Sequence, residues 1–214
     1  MTRRLVIVSA GMSVPSSTQL LADRLADATA AAVESRGEEV QVDHVELRPL
    51  AHALADHLLT GFPTAELQDA IDRVRRADGL VFVTPVYSAS YSGLFKTFVD
   101  VLEPGSLDAK PVLVAATAGT ARHSMVLDHA LRPLFTYLHA VVVPTGVFAA
   151  SEDFGNTDEG HLDKRIERAT DELAALLRPG AALAATTRRT VEDEFADPTP
   201  FEELLRRAGG SSTP

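Results

Sequence analysis

The sequence predicts an α/β protein, a doubly wound parallel sheet of five strands with helices on both faces. Short apolar runs rich in Val, Ile, Leu and Ala alternate with segments of helical periodicity along most of the 214 residues. Most of these runs are apolar at consecutive positions, the pattern of strands buried on both faces. Alternation of strand and helix implies a parallel sheet, and five strands point to the order 2-1-3-4-5. In that order strands one and three are neighbours, and a crevice opens at their carboxyl ends.

Each element has its own signal. Leu5 to Val8 is a β-branched run that stops at small residues. From Ser16, the apolar positions Leu20, Leu21, Leu25, Ala28 and Val33 recur at helical spacing until Gly37 supplies a stop. Val40 to Leu47 alternates apolar and polar and forms the second strand. Pro49 to Pro63 stays open, a long connection with or without a short helix. Glu66 to Ala77 is an amphipathic helix, and "GLVFVTP" is the third strand. Gly93 to Leu102 is helix, "PVLVAATAG" the fourth strand, Met125 to Leu138 a single helix, and "AVVVPTGVF" the fifth strand. Leu162 to Leu177 closes the series. Residues 1–185 make the domain; the mixture of charges, prolines and Gly/Ser over 186–214 reads as a surface tail.

Composition narrows the function classes. The formal charge is −10, which argues against nonspecific attraction to nucleic acid or to an anionic membrane. The chain contains no cysteine, which removes disulfides and thiolate chemistry. Its apolar N-terminal run is too short for a signal-peptide core, and no run approaches a membrane span. A cytoplasmic protein is expected.

Three loops fall at the expected crevice. "SAGMSVPSST" joins strand one to a helix that starts near Ser16, where unpaired N–H groups and the helix dipole favour an anion. Ser9, Gly11, Ser13, Ser16, Ser17 and Thr18 form a candidate phosphate nest without any Lys or Arg. The loop lacks both a Walker ending and a GxGxxG fingerprint, and a polar loop with an N-cap accounts for the same residues. After strand three, Pro85, Val86, Tyr87, Ser88 and Ala89 present backbone groups to the edge of a planar heterocycle, with Tyr87 or Tyr91 against the ring. Lys96 and Asp100 are four apart and read as an intrahelical ion pair. After strand four, Thr117, Ala118, Gly119 and Thr120 are small enough for a ring to lie against backbone. Arg122 follows, either to place a nucleotide donor or a phosphate or to form a surface or inter-subunit ion pair. His123 and His129 have no third partner in view, so no metal site is expected.

The segment Pro85, Tyr87, Gly93, Lys96 and Asp100 resembles the second loop of the flavodoxin-like NAD(P)H-dependent FMN reductases. Ser16 and Thr18 match that family's first loop, while Ser13 stands where an Arg is common. The resemblance spans about Leu5 to Leu177. It is greatest to the subgroup that supplies reduced FMN to luciferase-like flavin monooxygenases, through the "TAGTARHS" loop and the "VSAG.S.PSST" start. It implies FMN and NAD(P)H as cofactors, a third loop bordering the isoalloxazine, and a homodimer or homotetramer with Gly93 to Leu102 as a contact surface.

Hydride transfer to a flavin needs no side-chain acid or base, which agrees with a chain that offers no convincing nucleophile, dyad or triad. No catalytic side chain is therefore expected. Reduction of quinones, azo dyes or oxyanions through bound FMN fits the same loops. A flavodoxin-like electron carrier fits less well, because no Trp is present to sandwich the flavin. A flavin-free protein that kept the fold is the remaining alternative.

Overall fold

The computed structural model describes residues 2–154, 161–178 and 206. The chain runs β1 (Arg3–Ser9), α1 (Ser17–Glu34), β2 (Val40–Glu46), α2 (Ala51–Thr60) and α3 (Ala65–Arg76). It continues with β3 (Gly79–Tyr87), β4 (Ser90–Tyr91), α4 (Gly93–Asp100), β5 (Pro111–Ala118) and α5 (Arg132–Tyr137). The last elements are β6 (Val141–Val142), β7 (Val147–Ala150) and α6 (His161–Leu176). The chain divides into two units after Ala184. The tail expected over 186–214 lies, Arg206 apart, outside the described residues.

Successive side chains on a strand point to opposite faces, and here both faces are covered. Leu5, Ile7, Val81, Val83 and Leu113 pack beneath α1 and α6, against Leu21, Leu25, Ile166 and Leu173. Val6, Val8, Leu80, Phe82 and Val112 pack against α2 to α5. Phe82 sits at the centre of that second layer, its ring 4.6 Å from Phe135 and 5.9 Å from Phe95. The two-sided burial is why the central strands are apolar at consecutive positions over Leu5–Val8, Leu80–Val83 and Val112–Ala116.

The sheet path is β2-β1-β3-β5-β6, all parallel, so β1 and β3 are neighbours as expected. The expected five strands are seven, however. β4 pairs antiparallel with β3 as a short hairpin, and the expected fifth strand breaks into β6 and β7, each parallel to β5. Pro144 has no N–H to give the ladder. Gly146 passes so close to its neighbours that a Cβ there would lie 3.1 Å from Leu127 Cδ1 and 3.4 Å from the Val114 carbonyl. Side chains hold the break open. Arg132 donates to the Val143 and Pro144 carbonyls at 3.0 and 2.9 Å. The Thr145 N–H and hydroxyl both donate to the Glu172 carboxylate, at 2.7 and 2.8 Å.

Two other expectations change. The single helix expected from Met125 to Leu138 is a π-turn over Leu127–Leu131 followed by α5. Pro133 cannot donate to the carbonyl of His129, and the helix widens by a residue just before it. The open stretch Pro49 to Pro63 contains α2, which ends at Gly61 in the left-handed conformation, φ 77°.

Candidate functional site

The loops after β1, β3 and β5 meet at the carboxyl edge of the sheet. In the first, Ser16 is the N-cap of α1, and its hydroxyl accepts the Gln19 N–H at 3.2 Å. The N–H groups of Ser17 and Thr18 precede any intrahelical partner and stand at the positive end of the helix dipole. Gly11 has no room for a side chain, since a Cβ there would collide with Ser16 Oγ. Ser13 and Ser17 are exposed, whereas Ser9 is buried and donates to Gln19 Oε1 at 2.5 Å. Ser9 thus orients the first turn rather than facing solvent.

Thr18 and Thr117 are both 3% exposed, and their hydroxyls lie 2.7 Å apart. That bond joins the first turn of α1 to the end of β5, 99 residues away in the chain. Ala118, Gly119 and Thr120 follow on an increasingly open surface, and a Cβ at Gly119 would meet nothing within 4 Å. Arg122 is exposed on a short 3₁₀ turn, Ala121–His123, without an ion pair among the described residues.

The middle loop is the β3–β4 hairpin. Val86 pairs with Tyr91 and Tyr87 with Ser90, which leaves Ser88 and Ala89 as a two-residue tip. Both have positive φ, 49° and 65°, as a mirror-image type I′ turn requires, though neither is Gly or Asn. Such geometry costs roughly 1–2 kcal/mol per residue and persists where the surroundings impose it. Beneath the tip, buried Thr84 accepts the Ser92 N–H at 3.1 Å, and Ser92 caps α4 by accepting the Phe95 N–H at 3.2 Å. Tyr87 is 51% exposed and available to a ring. Tyr91 is not; it packs on Phe95, with centroids 5.7 Å apart. Pro85 and Val86 are half-buried at the hairpin base. Lys96 and Asp100 form the expected intrahelical pair at 2.5 Å.

Sequence reasoning passed over Gln19, Thr84, Ser92 and Arg48. The first three are positioning groups, recognisable once the loops are folded together. Arg48 follows β2, and the parallel pairing of β2 with β1 brings it to the first loop. Among the described residues no three His, Cys, Asp or Glu side chains gather as metal ligands, and no helix is long and apolar enough to cross a membrane.

The donor set fits a phosphorylated flavin. Hydroxyls and free N–H groups at a helix start suit a phosphate, and the open small-residue surface at Ala118 and Gly119 suits a flat ring. The class so defined is an α/β protein whose open crevice at the strand switch point has the chemistry to suit a flavin nucleotide. Comparison with known proteins makes this specific: the chain belongs to the NADPH-dependent FMN reductase family, whose model matches residues 3–155. It is an oxidoreductase of a family that uses FMN and NAD(P)H. An FMN reductase (NADPH) from Pseudomonas aeruginosa is 40% identical over 155 residues, covering 72% of this chain and 80% of that one. The NADH-dependent FMN reductase SfnF of Pseudomonas putida is 36% identical over 187 residues, covering 85% and 97%. The crystal structure of an oxidoreductase from Corynebacterium diphtheriae superimposes with a TM-score of 0.80 at 50% identity, covering 82% and 97%.

Proposed function

We propose that this protein uses NAD(P)H to reduce FMN in the cytoplasm and passes the reduced flavin to a partner flavin-dependent monooxygenase. The observation that carries the reading is the convergence of the three loops, with the phosphate nest tied to the ring-facing loop by the Thr18–Thr117 bond. When bound, FMN supplies the hydride acceptor, so the protein's task is to hold and orient. Gly11, Ser13, Ser16, Ser17 and Thr18 hold the phosphate, chiefly through main-chain N–H groups and exposed hydroxyls. Ser9 holds that turn in place. Pro85 to Ala89 border one edge of the ring, with Tyr87 beside it, and Thr117 to Thr120 form the opposite wall. Arg122, without an ion pair among the described residues, draws the anionic nucleotide towards an otherwise acidic protein. The reductase activity is supported by the similarity to SfnF, an NADH-dependent FMN reductase, and the partner monooxygenase by the resemblance of the "VSAG.S.PSST" and "TAGTARHS" loops to the subgroup that supplies such enzymes.

The test is steady-state oxidation of NADH and of NADPH with and without added FMN, against a panel of quinones. Turnover should depend on FMN. Strong turnover with quinones and none with free flavin would replace this reading with that of an FMN-bound quinone reductase.

A further inference from the structure

Residues 5–18, the first strand and its loop, contain no Lys or Arg, so any cation near the proposed phosphate must come from elsewhere in the fold. The Leu47 N–H donates to the Ser9 carbonyl at 2.9 Å, which fixes the end of β2 against the end of β1. The next residue, Arg48, shares with Gly11, Ser13 and Ser16 a cleft of about 180 Å³. That is more than ten times the roughly 10–15 Å³ that a single water needs, ample for a tetrahedral oxyanion. Arg48 is exposed, and its guanidinium has neither an ion pair nor a hydrogen bond among the described residues.

We propose that Arg48 completes the phosphate site of the first loop and makes the protein select FMN over unphosphorylated riboflavin. The inference rests on the assignment of that loop to the flavin phosphate. A guanidinium offers parallel N–H donors that match two phosphate oxygens, and in this chain it is delivered by the neighbouring strand. Glu46 lines the same cleft. With Arg48 present, cation and carboxylate balance; without it, an incoming phosphate faces a net negative wall.

Flavin fluorescence titrations of the wild type, Arg48→Gln and Arg48→Lys, each with FMN and with riboflavin, test this. The wild type should bind FMN more tightly than riboflavin, with a preference that shrinks as salt rises. Arg48→Gln should weaken FMN about five- to twentyfold, a charged hydrogen bond discounted for exposure, and leave riboflavin unchanged. Arg48→Lys should retain part of the preference. If the wild type prefers FMN and Arg48→Gln keeps that preference intact, the role of Arg48 is overturned while the loop assignment stands. If the wild type shows no preference, the phosphate assignment itself falls, and this proposal with it.

Discussion

Gly11 and Thr18 show how single residues decide the site. A methyl group at Gly11 would displace the Ser16 hydroxyl from the position where it caps α1. Gly11→Ala should therefore cost about 1 kcal/mol of stability, the usual value of a lost N-cap, and weaken FMN by more than that capping loss alone. Urea denaturation alongside flavin titration measures both. Unchanged FMN affinity would show that the turn holds no phosphate. Thr18 was readable as a phosphate donor by type, yet its hydroxyl is hydrogen-bonded to that of Thr117, so any contact it makes with the proposed phosphate falls chiefly to its main-chain N–H. Side-chain identity marks Thr18 as a hydroxyl donor, and only the contact across the sheet shows that this hydroxyl already has a partner.

At the scale of elements, the connection from α3 to β5 carries a pH dependence. The Lys110 ammonium donates to the Arg75 and Ala77 carbonyls at 2.9 and 2.7 Å, satisfying the C-terminal end of α3. Burial lowers its pKa below the usual 10.5, with Asp78 opposing the shift. The folded state then binds fewer protons than the unfolded one in the window just below 10.5, so the stability this residue contributes rises with pH there. Urea midpoints of the wild type and Lys110→Met should diverge in favour of the wild type as pH climbs from neutral towards that value. A constant difference across the range would remove the effect. The elements that differ from expectation, the split fifth strand and the π-turn, both centre on a proline. Pro144 and Pro133 were visible in the sequence, but whether each ends, kinks or widens its element depends on partners such as Arg132 and Glu172.

For the whole molecule, the two-layered core frames the sheet whose carboxyl edge carries the crevice: α1 and α6 brace one face and α2 to α5 the other. Arg24 of α1 pairs with Asp163 of α6, and Arg36, in the turn after α1, pairs with Asp171 of α6. We expect the protein to associate through α4 as a homodimer or homotetramer. Sedimentation at micromolar concentration should report a species larger than a monomer, and a monomer would sink that expectation.

The central strands, the helices α1, α3, α4 and α6 and the positions of the three loops that follow β1, β3 and β5 were legible in the sequence alone, because apolar runs, helical periodicity and turn residues act locally. The tertiary structure decided which hydroxyls already have partners, where the last strand breaks, which tyrosine is exposed and that Arg48 stands beside the first loop. Those outcomes depend on contacts between residues far apart in the chain, and no local pattern encodes a distance across a sheet.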